Sequence, residues 1–313
     1  MFRFRSSGIV RRTLPLLLWI LTAAAAPGRV AAEPPAPVDE LPLPAVPPTL
    51  RRPADRAAYL LEHFWDALSF GDTLRSRDRA FMEQHFSTFV SVFPHAGEPA
   101  RRTAVRKLLE RAEADTAAYV LLTEIAEKYL YETDSPLYSE ADYQLFLEQF
   151  AEAPVLGEYG RVRPRWQLET VRKNRPGMTA ADFAYTTRAG GRTTLHETPA
   201  GQSLLLIFYD PDCDHCREVL ATLQQDPTLE QLTADGRLTV LAVYSGGDRA
   251  LWRQTAAALP ERWTVGYESG AMQERGAYVL RQLPTLYLLD RDKRVLLKEP
   301  RPEQLLRHFE AAE

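Results

Sequence analysis

Leu204–Tyr209 (LLLIFY) and Leu238–Tyr244 (LTVLAVY) are near-continuous apolar runs. A strand with one wet face alternates apolar and polar residues, so runs without alternation belong to strands buried on both faces of a sheet. Such a sheet needs helices above and below it. Helical periodicity appears at 215–224 and 248–258, with a third candidate helix at about 270–281. Thr285–Leu289 and Val295–Lys298 then flank the turn DRDK as a hairpin, and an amphipathic stretch at about 302–311 closes the chain. Strands alternating with helices, followed by a hairpin and a helix, predict an α/β domain.

The preceding half has a different period. Between 55 and 153, apolar residues recur at i, i+3, i+4 and i+7 in five stripes. These are Leu61/Phe64/Trp65/Leu68, Phe86/Phe89/Val90/Phe93, Val105/Leu108/Leu109/Ala112, Leu122/Ile125/Ala126/Tyr129 and Tyr143/Phe146/Leu147/Phe150. Amphipathic stretches with short polar breaks predict an all-α helical bundle, its aromatic stripes serving as core. Residues 33–54 are proline-dense and read as an extended linker, and 154–169, with RVRPRW, as a second one. Nothing in the helical half has nucleophile or metal-ligand spacing.

The start of the chain carries a third pattern. Arg3, Arg5, Arg11 and Arg12 precede the apolar run Leu14–Ala26, and small residues follow it. That order predicts a signal peptide over 1–32 and export to the periplasm or cell envelope, with an uncleaved anchor as the alternative. The formal charge is −4, which carries no basic footprint for nucleic acid.

The chain has two cysteines, Cys213 and Cys216, in FYDPDCDHC. A bridge so short closes almost no loop and adds little stability, so the pair is expected to serve chemistry. It follows the LLLIFY strand and opens a helix, where N-terminal amides stabilise a negative sulfur. Cys213 is then the attacking thiol. Cys216, one turn on, resolves the mixed disulfide.

PTLYLLD, with Pro284 and Thr285 leading a strand, resembles the cis-proline element of the thioredoxin superfamily. The order GMTAADFAYTTRAGGRTTL, strand, CxxC, helix, strand, helix, proline is similar to the TlpA-like envelope thioredoxins. This likeness covers 170–313 and implies a thioredoxin-like domain with thiol-disulfide oxidoreductase activity and no cofactor. It also implies that Leu283, Pro284 and Thr285 contact the substrate. The region with YLLEHFWDAL and KYLYETDSPLY resembles an uncharacterised helical module that precedes such domains in bacterial envelope proteins. The resemblance implies protein thiol or disulfide clients, an electron donor or acceptor, and a redox partner at the membrane side. The helical half is expected to dock or position them.

The departures from the family pattern are specific. Asp214 and His215 stand between the cysteines, and Ile207 takes the place of a buried aspartate six residues before the first cysteine. His215 favours a Cys213 thiolate, whereas Asp210, Asp212 and Asp214 oppose one. The residues therefore leave reduction, oxidation and isomerisation open. A zinc site built from these crowded side chains is disfavoured, because they do not converge on a tetrahedron. Peroxidase chemistry is disfavoured because Leu206 and Asp210 occupy the positions that need proline and threonine or serine. A thioredoxin-fold binding module without turnover is the alternative function. Glu268 and Glu274 are read as solvated surface, with a proton relay before Pro284 as the alternative.

Overall fold

The computed structural model describes residues 40–311. The expected signal peptide and the first residues of the proline-rich stretch lie outside them. Residues 40–52 carry no helix or strand, although Leu41 is buried.

The helical half comprises α1 (Pro53–His63), α2 (Thr73–Ser76), α3 (Arg79–Ser91), α4 (Glu98–Ala112), α5 (Thr116–Leu130), α6 (Glu140–Phe150) and α7 (Gly157–Val171). Several starts are set by capping side chains that accept otherwise unpaired amides. Asp78 accepts from the N–H of Phe81 at 3.1 Å, Asp115 from Ala118 at 2.9 Å and Ser139 from Asp142 at 3.2 Å. The aromatic stripes meet in the middle of this half. Phe64, Phe86, Phe89, Phe93, Phe146 and Phe150 are all buried, and the Phe86 and Phe146 ring centroids lie 5.3 Å apart.

The segment 154–169 is not a linker. A 3₁₀ turn at Pro154–Leu156 leads into α7, which packs along α6. The Tyr143 hydroxyl donates to Oε1 of the buried Gln167 at 2.9 Å, and Leu168 and Val171 enter the core. Pro164, inside the helix, made the sequence read as a break, because proline removes a helical hydrogen bond. Packing against α6 holds the helix through it.

The second half contains β1 (Ala184–Thr187), β2 (Arg192–Thr194), β3 (Ser203–Tyr209), α8 (Asp214–Gln225), α9 (Pro227–Ala234), β4 (Leu238–Ser245), α10 (Arg249–Thr255), β5 (Thr264–Glu268), α11 (Ala271–Glu274), β6 (Thr285–Asp290), β7 (Val295–Lys298) and α12 (Pro302–Glu310). The strands form one mixed sheet in the order β2–β1–β5–β4–β3–β6–β7. β3 lies between parallel β4 and antiparallel β6. Leu205, Ile207 and Tyr209 face a core shared with α8, α9, α10 and α12. Leu204, Leu206 and Phe208 face a second core with Phe183, Met272 and Tyr278. Burial on both sides is the reason LLLIFY lacks alternation. The fold is a thioredoxin-like α/β domain behind an all-α one.

Two local readings change, and one strand had no signal in the sequence. The expected helix at 270–281 is only α11, because Gly276 takes φ 63° and ends it. Glu268 is buried rather than solvated. Its carboxylate accepts from the N–H of Gly270 at 2.8 Å, that of Met272 at 3.1 Å and the Ser245 hydroxyl at 3.0 Å. β5 lacks an apolar run because Gly266 lies under Tyr185, where a Cβ would come within 2.5 Å of the ring.

Candidate active site

β3 ends at Tyr209, and the next residues fold back on themselves. Asp210 Oδ1 accepts from the Asp212 N–H at 2.9 Å, and the Cys213 N–H donates to the Asp210 carbonyl at 3.2 Å. The turn delivers Cys213 to the N-cap of α8, with φ −85° and ψ 118°. There its sulfur does what a serine or aspartate oxygen does at other helix starts. It accepts the Cys216 N–H at 3.3 Å. Negative charge developing on this sulfur faces that amide and the positive end of α8.

Cys213 is partly exposed and Cys216 fully buried, both as thiols. The Asp210 N–H donates to the Cys216 sulfur at 3.5 Å. Burial pushes the Cys216 thiol up to about 12, despite that hydrogen bond. Cys216 packs in the same core cluster as Ile207, the residue at the position of the missing aspartate. One thiol therefore meets solvent and the other waits, protonated, behind it.

The Leu283–Pro284 peptide is cis. Leu283 packs against both cores and turns its carbonyl oxygen to within 3.9 Å of the Cys213 sulfur. Thr285 is buried, donates its hydroxyl to the Gln282 carbonyl at 2.5 Å and pairs with Phe208 as β6 begins. The fold thus brings Leu283, Pro284 and Thr285 to the dithiol across 70 residues of chain.

Asp214 and His215 are placed differently. Asp214 is exposed and pairs with Arg217, which offsets its charge. The His215 ring is 69% exposed and lies 3.9 Å from the Glu218 carboxylate, with no hydrogen bond to either sulfur. Asp210 is engaged by its own loop. Asp214 is thus paired and His215 largely exposed, and the hydrogen bond that the Cys213 sulfur accepts comes from the Cys216 amide at the helix start.

A cavity of about 110 Å³ opens beside His215 and Pro284. Its far wall comes from the helical half, as Thr133, Pro136 and Tyr138 in the α5–α6 connection. Arg301, at the start of α12, lines the same cavity. No sequence signal tied these residues to the cysteines. Among the described residues, no group of three His, Cys, Asp or Glu side chains is placed to hold a metal ion. No helix among them is long and apolar enough to cross a membrane.

A thioredoxin-like protein from Bacteroides caccae is 32% identical and superposes with a TM-score of 0.82, over 88% of this chain and 100% of that one. The chain belongs to the thioredoxin-like proteins. Two other solved structures match this thioredoxin-like chain over less than half its length. A conserved protein of unknown function from Bacteroides fragilis is 38% identical with a TM-score of 0.41, covering 43% of this chain and 98% of that one. A putative thiol:disulfide interchange protein DsbE from Chlorobium tepidum is 25% identical with a TM-score of 0.37, covering 44% and 96%. Residues 22–174 match a domain of unknown function, DUF5106. That match runs to the end of α7, beyond the boundary at 153 read from the sequence. No curated protein matches the chain.

Proposed function

We propose that this protein is an exported thiol-disulfide oxidoreductase that acts on protein disulfides through Cys213 and Cys216. The observation that carries the reading is the division between the two sulfurs. Cys213 is partly exposed on the α8 N-terminus beside the Leu283 carbonyl, and Cys216 is buried one turn behind. In the reducing direction, the Cys213 thiolate attacks a client disulfide, forming a mixed disulfide and releasing one client thiolate. Cys216 then loses its proton and attacks the Cys213 sulfur. The Cys213–Cys216 disulfide forms, and the second client thiolate leaves. Two electrons have passed to the client, and a donor dithiol must return them. The same steps reversed oxidise a client dithiol, and the reduction potential of the pair sets the direction.

Export rests on the arginine head, apolar run and small residues of 1–32. The clients and the redox partner, including one at the membrane side, belong to the same proposal. Cys216→Ser leaves the nucleophile without its resolving thiol, so mixed disulfides should accumulate on non-reducing gels, whereas Cys213→Ser should trap none. Equal trapping by the two would reverse or erase the assigned roles. No trapping by either would favour a binding module that keeps the fold without turnover.

A further inference from the structure

The helical half binds the redox half at the segment that leads into the cis proline. Arg281, three residues before Pro284, has only 16% of its side chain exposed. Its guanidinium donates to the Tyr131 carbonyl at 2.6 Å, the Tyr138 hydroxyl at 3.0 Å, Glu140 at 3.1 Å and Glu299 at 2.8 Å. It also lies 3.9 Å over the Tyr131 ring. Tyr131 and Tyr138 belong to the α5–α6 connection, and Glu140 opens α6. Lys298 completes the cluster, with its ammonium 2.6 Å from Glu140 and donating to the Lys173 carbonyl at 3.0 Å. Two largely covered cations thus face two largely covered carboxylates, Arg281, Lys298, Glu140 and Glu299 having 16%, 7%, 11% and 5% of their side chains exposed.

The next residue is held as well. The Thr133 hydroxyl donates to Gln282 Oε1 at 2.6 Å. The residue after that is Leu283, whose carbonyl faces Cys213. Two consecutive anchors to the helical half therefore end one residue before the backbone that a client strand would meet. A planar guanidinium with several fixed acceptors holds its backbone more tightly than a flexible ammonium does.

We propose that the helical half is a positioning element of the redox site, with Arg281 as the positioning residue that holds 281–284 against Cys213 for an extended client strand. This deepens the disulfide-exchange reading and rests on it. The helical half is then not a detachable docking module. It fixes the substrate-binding backbone, while Cys213, set by α8, keeps its own reactivity.

The test uses the full chain and its Arg281→Met, Arg281→Lys and Thr133→Val variants, with two readouts. Amide hydrogen exchange over 279–286 should accelerate in Arg281→Met while the start of α8 stays protected. In single turnovers by the reduced protein, the half-saturating concentration of a disulfide-bonded synthetic peptide should rise about tenfold, while the rate with dithiobis(nitrobenzoate) stays within about twofold. Arg281→Lys should recover part of the loss. If Arg281→Met does not fold, Thr133→Val carries the test through hydrogen exchange over 279–286 alone, because Thr133 also lines the cavity beside Pro284. Unchanged exchange over 279–286, or equal slowing of both disulfides, overturns the inference. Reduced wild-type protein inert towards the peptide disulfide, together with oxidised wild-type protein inert towards the peptide dithiol, overturns the exchange reading, and the hydrogen-exchange result still decides whether Arg281 holds the segment.

Discussion

The sulfur of Cys213 lies 3.9 Å from the carbonyl oxygen of Leu283, the residue on the amino side of the cis peptide bond. This contact joins the start of α8 to the approach to β6. It places the partly exposed Cys213 sulfur and a backbone acceptor at one spot. A client strand that paired with the Leu283 backbone would present its own sulfur to Cys213.

The first prediction concerns accessibility. Cys216 is fully buried and stays protonated well above neutral pH, whereas Cys213 is partly exposed on the helix start. Iodoacetamide on the reduced native protein should add one group, at Cys213, and a second only after unfolding. Peptide mass spectrometry reads the site. Two groups added at similar rates in the native state would contradict the burial of Cys216.

The second concerns pH. Folding raises the Cys216 thiol from 9.0 to about 12, so the folded state holds a proton that the unfolded chain gives up sooner. The resulting stabilisation is fully present below pH 9 and is lost as the pH rises towards 12. Within that window it falls by up to about 1.4 kcal/mol per pH unit. Thermal unfolding of the reduced protein and Cys216→Ser, followed in parallel, should show the reduced protein losing ground only above pH 9. Parallel curves across that range would remove the assignment.

Buried and surface ion pairs should respond differently. Glu299→Ala strips Arg281 of a partner inside a cluster where both side chains are largely covered. It should cost about 3–5 kcal/mol, because Arg281 and Lys298 are then left to share the single carboxylate of Glu140 in a largely covered cluster. Glu124→Ala breaks a pair with Arg79 in which both side chains are about half exposed, 52% and 51%. It should cost less than about 1 kcal/mol. Urea midpoints at constant slope compare the two, and similar costs would mean that the cluster around Arg281 is not held as described.

A fourth prediction tests α7 as part of the helical half. Tyr143→Phe removes the hydrogen bond to Gln167, whose side chain is 2% exposed and has little access to water in exchange. A loss of about 1–3 kcal/mol is expected. A neutral substitution would mean that α7 is only loosely applied to α6, closer to the linker its sequence suggested.

Much of the redox half was legible because its signals are local. Two apolar runs without alternation marked β3 and β4, since a strand covered on both faces needs no polar side. The position of CxxC just after β3 marked Cys213 as a helix start, and the structure makes it the N-cap of α8. β5 and α7 were missed for equally local reasons. Gly266 breaks the apolar run where Tyr185 crosses it, and Pro164 imitates a helix stop. In both, tertiary packing overrides what the local pattern suggests.

By itself, then, the sequence determined the fold class of each half and which cysteine opens the helix. Both follow from periodicity and from residues within a turn or two of one another. Only the tertiary structure decided what surrounds the cysteines. Leu283 reaches Cys213 across 70 positions, Gln282 meets Thr133 across 149 and Arg281 meets the Tyr131 carbonyl across 150. A polar side chain in a loop reads as solvated until packing removes its water. Here, burial at the contact between the halves turned Arg281, Glu140, Lys298 and Glu299 from surface charges into one another's solvent.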